Sequence, residues 1–397
     1  MRQPDGDHAS RLSAFICAQL WLNNIMAADP LVLEMAHKFA QDRLAPTAGS
    51  REKAGAIEPA IIAELGGLGF LGATTSEQWD GSALDPVTYA LALEEIAAGD
   101  GSVSTLVSVH NSPTCIVLES FGSDVQKDRW LRPLARGEHV GSFALTEPQA
   151  GSDASNLRTR AIKRGDRYII SGSKQFISSA SIPGSTVLFA VTDPNAGKRG
   201  LSCFVVDKST SGYIVAKKEE KLGQKASETC ALTFDNMEVS EAQRIGAEGE
   251  GYKIALSTLE SGRIGIAAQA VGMARAALDY AIAYARDRQA FGAPIIEHQA
   301  VAFRLVDAKT RLEAARQLVL HAATLKADGK PALEAACMAK LFASEAAEAI
   351  CTAAIQTLGG YGYLADYPVE RIYRDVRVCQ IYEGTSDVQK IILQRML

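Results

Sequence analysis

Residues 157–178 read LRTRAIKRGDRYIISGSKQFIS, and this stretch decides the fold class. Helix formers thin out here, and β-branched residues recur between turn residues such as Gly165-Asp166 and Gly172, the pattern of short strands. The same texture runs from about 141 to 245. Candidate strands are Leu157–Ile162, Tyr168–Ser171, Gln175–Ser178, Thr186–Val191, Leu201–Val206, Tyr213–Val215 and Cys230–Phe234. Asp193-Pro194-Asn195, Gly197, Gly200 and Gly212 punctuate them, which predicts a small β-barrel or sandwich.

On both sides the chain reads as helix. Upstream, Asp29-Pro30 opens a periodic run (Leu31, Leu33, Met35, Ala36, Phe39, Ala40), and Glu58-Pro59 opens another through Ile61, Ile62 and Leu65. A third begins at Val87 and stops at Gly99-Asp100-Gly101. Downstream of Gly249-Glu250-Gly251 the chain is alanine-rich. Apolar residues at 301, 305, 308, 312, 315, 319 and 322 alternate steps of four and three, a seam that packs helix bundles. Gly329-Lys330-Pro331 interrupts it before a second long helix to Leu358. The expected fold is mostly α with a central β domain. It comprises an N-terminal extension (1–28), an N-terminal helical domain (29–140), a β-barrel-like middle domain (141–245) and a C-terminal four-helix-bundle domain (246–397).

The chain has 397 residues, 41 Lys+Arg against 46 Asp+Glu (net −5), 47% apolar and 22% charged residues. That balance suits a folded, soluble protein and lacks the basic field of a nucleic-acid binder. No apolar run approaches the roughly 18–20 residues of a membrane span. Seven cysteines (17, 115, 203, 230, 337, 351, 379) include no CxxC, which argues for reduced thiols in a cytoplasmic setting. Six histidines (8, 37, 110, 139, 298, 321) contain no HxxxH pair, so no metal site is expected. The apolar segment Leu12–Leu22 has a signal-like core, but Asp5 and Asp7 spoil its flank, and it reads as part of an extension. Residues 67–72, Gly-Leu-Gly-Phe-Leu-Gly, match GxGxxG formally. The preceding apolar residues have helical spacing, so a helix end is expected rather than a dinucleotide turn.

Four segments concentrate chemistry. Phe143–Asp153 gathers hydroxyls, glycine and backbone donors in a turn suited to a phosphate- or heteroatom-rich ligand, or is simply a capped connection. Lys174–Ser178 ends a strand on an aromatic and a hydroxyl. Arg286–Pro294, followed by Glu297-His-Gln299, places arginines at a helix end, where they either satisfy the dipole or grip a pyrophosphate. Finally, Gln356–Gly362 precedes Arg374–Arg377 and Ile381–Ser386. There Ser386-Asp-Val-Gln389 reads as a capping box, leaving Glu383-Gly384 in a break at a pocket mouth or in a solvated turn.

Together these segments resemble the acyl-CoA dehydrogenase family, from about residue 29 to the C-terminus. TEPQAGSD (146–153), KQFISS (174–179), KLGQKAS (221–227), DRQAFG (287–292) with EHQ (297–299), LGGYGY (358–363) and IYEGTSDVQ (381–389) occur in family order. The chain looks most like the short-chain and short-branched-chain members, with Gly262-Arg-Ile-Gly-Ile-Ala-Ala-Gln269 the most telling stretch. The resemblance implies the family's three-domain fold, usually a homotetramer, with FAD between the β domain and the bundle. It implies that Phe143, Leu145, Thr146, Gly151 and Ser152, with Phe176, Ile177 and Ser178, embrace the flavin. Arg288, Gln289, Phe291, His298 and Gln299, with Gln356, Leu358, Gly359 and Gly360, would contact a neighbouring subunit's FAD, and Thr385, Ser386 and Asp387 would complete the set. Glu383 lies where most members place the base that removes the substrate's α-proton. Ser152, Arg263 and Gly384 would face the acyl-CoA, and Glu260, two residues before Gly262, would face either substrate or solvent. Gly262 stands where isovaleryl-type members carry an alternative glutamate, which leaves Glu383 as the base.

Phe176 and Ser178 stand where many members have tryptophan and threonine, and both keep the chemical character, an aromatic wall and a hydroxyl. Gln149 replaces a frequent glycine. The implied reaction is FAD-dependent dehydrogenation to trans-2-enoyl-CoA, with electrons passing to an electron-transferring flavoprotein. The alternatives are an acyl-CoA oxidase-like flavoprotein that uses oxygen, or a catalytically silent acyl-CoA-binding homologue. The compartment implied is cytoplasmic in a bacterium and the mitochondrial matrix in a eukaryote.

Overall fold

Asp29 starts the first helix by accepting the Leu31 N–H at 2.9 Å, with Pro30 at the first helical position. A computed structural model describes residues 28–397; the extension expected over 1–28, with Leu12–Leu22, His8 and Cys17, lies outside the described residues apart from Ala28. Helices α1 (Pro30–Phe39), α2 (Pro59–Gly67), α3 (Pro86–Gly99) and α4 (Gly101–Val109) build the N-terminal part. Gly67 ends α2 and Leu68–Gly72 follows directly as a turn, with no strand before it, so the dinucleotide reading is excluded on geometry. Asp100 separates α3 from α4, accepting the Ser102 N–H at 2.7 Å and the buried Arg51 guanidinium at 2.8 Å.

The middle of the chain is one eight-stranded sheet. Its strands are β1 (Val140–Ala144), β2 (Arg160–Arg164), β3 (Arg167–Ser178), β4 (Gly184–Val191), β5 (Leu201–Asp207), β6 (Tyr213–Lys218), β7 (Thr229–Ser240) and β8 (Arg244–Ile245). The order is β6-β7-β3-β2-β4-β5-β8, with β1 parallel to β4. Only the Arg160–Val191 pair joins β2 to β4, so the sheet folds over at that point. Tyr168, Ile170 and Phe234 of one half pack with Leu188, Phe204 and Val206 of the other, giving the barrel-like interior.

Two expectations about strands need correction. Tyr168–Ser171 and Gln175–Ser178 are one strand, because Gly172 does not end it: a Cβ there would come 2.6 Å from Thr159 Cα, so glycine is the residue that lets β3 pass. The strand over Cys230–Phe234 extends to Ser240, and β1 escaped notice altogether.

Past Gly251 the chain forms α5 (Gly251–Asp287), α6 (Gln299–Ala327), α7 (Leu333–Leu358), α8 (Pro368–Val376) and α9 (Ser386–Gln394). The expected seam of α6 is its buried face: Leu305, Ala308, Leu312, Ala315, Val319 and Ala322. Against it lie alanines of α5 and α7, including Ala270, Ala274, Ala277, Ala339 and Ala343. Small side chains let the helices approach closely, and burying each larger one, such as Leu312, contributes roughly 1.5–3 kcal/mol. Gly272 faces the Glu94 carbonyl of α3 with no room for a Cβ, so α5 also docks tightly on the N-terminal helices. The described cysteines are all buried and unbridged. Among the described residues, no helix is long and apolar enough to cross a membrane.

Candidate active site

The turn between α8 and α9 carries Glu383. Its backbone is left-handed (φ +54°), followed by Gly384 at φ +89°. A non-glycine residue resists this conformation, so other contacts must hold it. Gln389 Nε2 donates to Glu383 O at 3.3 Å and to Gly384 O at 2.9 Å. From α7, the buried Lys340 donates to Gly384 O at 2.7 Å. On the other side, the Tyr382 hydroxyl donates to Gln269 Oε1 of α5 at 3.0 Å. The capping-box reading is corrected in detail. Thr385, not Ser386, caps α9 by accepting the Val388 N–H at 3.3 Å, and Gln389 holds the base turn instead of reaching back to the cap.

Glu383 is half-buried, and its carboxylate Oε2 is enclosed with no hydrogen-bond partner. It lies directly against Gly262 of α5, where any Cβ would overlap it. Burial pushes the Glu383 carboxyl up to about 7, and the nearby charges of Arg263 and Lys340 hold back a larger rise. Lys340 is pushed down to about 8, chiefly by burial. Arg263 is buried with an unpartnered Nε, and the fully enclosed Tyr89 hydroxyl is also unpartnered. Unsatisfied polar groups beside a raised carboxyl mark a candidate functional site.

A second set of residues sits on the sheet. Buried Glu147 and Lys174 pair at 2.9 Å, and Lys174 also donates to Leu145 O at 2.9 Å. Glu147 further accepts the Arg158 and Thr159 N–H groups at 2.6 and 3.0 Å. The Gln149 amide donates to Glu147 Oε2 at 2.7 Å and to Asn156 O at 3.2 Å, which gives this departure from the family pattern a physical role in closing the loop. Gly151 and Ser152 lie exposed at its tip, and Thr146 O accepts from Gln175 N at 2.9 Å. The β3–β7 register shifts between Lys174 and Ile177, and Phe176 at φ +61° turns outward, 64% exposed. Ile177 beside it is buried and Ser178 half-buried, whereas the Phe143 ring is taken up by Phe189 at 5.0 Å. An uncovered aromatic face next to the hydroxyls of Thr146 and Ser178 fits a flat, heteroatom-rich ring such as a flavin.

The third set lies elsewhere. Arg288 caps the C-terminal end of α5, 25 residues after Arg263, roughly 37 Å away at 1.5 Å per residue. It closes over the Tyr361 ring at 5.7 Å and lines an open groove of about 560 Å³ with Thr357, Leu358, Gly359 and Gly360. Gln289 and the almost fully exposed Phe291 flank it, and His298 Nε2 bonds Ala290 O at 2.9 Å. Gln299, Gln356 and Asp387 are exposed. The Glu260 carboxylate is held by Lys326 of α6 at 3.4 Å. The buried Ser386 hydroxyl has no partner.

Sequence reasoning missed residues that hold the Glu383 turn: Lys340 and Gln389 directly, and Gln269 through Tyr382. Gln389 and Gln269 lie within quoted motifs that gave them no such role, and Lys340 shows only as a lone cation in the apolar run Ala335-Ala-Cys-Met-Ala-Lys-Leu-Phe-Ala343.

Comparison with known proteins agrees with this architecture. Family profiles for the acyl-CoA dehydrogenase N-terminal, middle and C-terminal domains match residues 28–138, 142–237 and 249–397. An acyl-CoA dehydrogenase of Bacillus subtilis is 46% identical over 92% of this chain and 97% of its own. The structure of butyryl-CoA dehydrogenase from Megasphaera elsdenii superposes with a TM-score of 0.90 at 41% identity, covering 92% of this chain and 96% of that one. A solved FAD complex of PigA superposes at 0.88 and 31% identity, covering 92% and 96%. The chain belongs to the acyl-CoA dehydrogenase family of oxidoreductases.

Proposed function

We propose that this protein converts a short acyl-CoA thioester to its trans-2-enoyl-CoA, with Glu383 as the base and FAD as its cofactor. The observation that carries the reading is the enclosed, unpartnered Glu383 carboxylate against Gly262. Glu383 takes the substrate's α-proton, and burial keeps this carboxylate basic enough to do so near neutral pH. Its own N–H, which has no acceptor among the described residues, donates to the thioester carbonyl as negative charge grows there. Gly262 leaves the space the base needs, while Lys340 and Gln389 hold the turn rigid. When bound, FAD supplies the oxidant for the β-carbon. Thr146, Ser152, Phe176 and Ser178 would hold its ring and side chain, with Leu145, Ile177, Thr385 and Ser386 beside them.

The Arg288 groove lies too far along α5 to share a short ligand with Arg263. This supports its assignment to a neighbouring subunit's cofactor in a homotetramer, and we propose an electron-transferring flavoprotein as the electron acceptor. Anaerobic titration of the yellow protein with butyryl-CoA tests the reading. Bleaching of the flavin is expected; a yellow protein that no acyl-CoA bleaches would refute it. Fast peroxide formation without an added acceptor would replace the flavoprotein partner with oxygen.

A further inference from the structure

We infer that Gln224 is a positioning residue for Glu383, locking the base turn onto the sheet that carries the Phe176 shelf. The inference rests on Glu383 being the base. Glu383 is held from two sides. Downstream, Lys340 and Gln389 grip Gly384 and Glu383, and both belong to the same C-terminal helices as the turn itself. Such a clamp fixes the base within the bundle and leaves its distance to the sheet unset.

Upstream, the grip falls on the Tyr382 side chain, and it leaves the bundle. The loop from β6 to β7 brings in Gln224, 3% exposed and left-handed at φ +46°. Every polar group of Gln224 is occupied on arrival, its carbonyl accepting the Ser227 N–H at 3.1 Å. Its N–H donates to Asp375 Oδ1 of α8. Its Nε2 donates to Asp375 O at 3.2 Å and reaches the Tyr382 hydroxyl at 3.5 Å. Its Oε1 accepts from Thr105 Oγ1 of α4 at 2.6 Å. One amide thus joins an N-terminal helix, the sheet and the residue preceding the base. The loop has no slack, since Gly223 abuts the Arg374 carbonyl and Arg374 Nη1 donates to Leu222 O at 3.2 Å. Tyr382 in turn transmits the constraint to α5 through Gln269.

Proton removal is sensitive to such placement, because about 1 Å of misplacement can cost about 100-fold in rate. A residue that only stabilised the fold would lower flavin content or melting temperature and leave the bound enzyme's rate intact. A positioning residue does the reverse.

The test uses the full-length, FAD-loaded protein and single-turnover reduction by butyryl-CoA. Gln224→Met, Tyr382→Phe and the double variant form a cycle. Gln224→Met is expected to keep flavin per protein and crotonyl-CoA affinity within about threefold while reduction slows at least about tenfold. The double variant is expected to be no slower than the slower single, because both changes break one linkage. A wild-type rate for Gln224→Met, or singles whose effects multiply in the double, overturns the inference. Should Gln224→Met fail to hold FAD, Thr105→Val, which removes one hydroxyl, carries the test: slowed reduction with full flavin supports it and a wild-type rate overturns it. A wild-type protein that butyryl-CoA does not bleach refutes the functional reading beneath, an outcome distinct from any of these.

Discussion

As the proposed base, Glu383 would work only when ionised, and burial sets the pH at which that happens. With its carboxyl at about 7, the rate of flavin reduction should rise about tenfold per pH unit below 7 and flatten above it, measured by stopped-flow at a series of pH values. Lys340→Met removes a positive charge that favours the carboxylate, so the limb should move to higher pH. Glu383→Gln should keep FAD and acyl-CoA while losing about 100- to 10,000-fold in reduction. The same burial costs stability. A raised folded-state value means the native protein prefers the protonated acid, so the penalty is absent below about 4.5, grows as pH rises to 7 and is complete above it. Glu383→Gln should therefore melt higher than wild type at pH 8 and equally at pH 4.5, a difference that scanning calorimetry would read. Gly262→Ala should slow reduction without loss of FAD, since its Cβ takes the space of the Glu383 carboxylate. The candidate base was legible through the motif Ile381–Ser386; its raised acidity range was not, because Gly262, Arg263 and Lys340 reach it from other helices.

At the scale of elements, the loop after β1 is organised by a buried ion pair. Lys174→Met would strand the Glu147 carboxylate in the interior, at a cost of about 3–5 kcal/mol, and should lower both melting temperature and flavin content. Gln149→Ala removes two hydrogen bonds from the exposed side of the same loop and should cost only about 1 kcal/mol by chemical denaturation. The helical seam of α6 could be read directly, since its buried residues follow from a period imprinted locally. Strand β3 could not. Its continuity through Gly172 depends on Thr159 passing close by, and the outward turn of Phe176 depends on a register shift against β7. Both facts belong to pairs of strands.

For the whole molecule, apolar side chains remain uncovered on the outer bundle: Phe303 (61% exposed) and Val306 (59%) on α6, with Met338 and Phe342 on α7. Exposed apolar groups of this size on consecutive helices suit an assembly face. Light scattering should give a mass four times the 42.3 kDa chain, and Phe303→Glu with Val306→Glu should shift it to smaller species. If the Arg288 groove serves a neighbour's cofactor, the dissociated form should also lose FAD.

The sequence by itself determined the helix–sheet–helix order, the seam of α6 and the motif residues, because hydrophobic period, turn chemistry and a contiguous signature are local properties of a chain. Tertiary structure decided what those residues do to one another. It placed Gly262 against Glu383, Lys340 and Gln389 beneath the base turn, and Gln224 between Thr105 and Tyr382. It also separated Arg288 from Arg263 along one helix. These partners are 119 to 158 residues apart where Gln224 is concerned, so no window of sequence contains them. The acidity and position of a buried base arise from desolvation and from distant charges, and both exist only once the chain has closed around it.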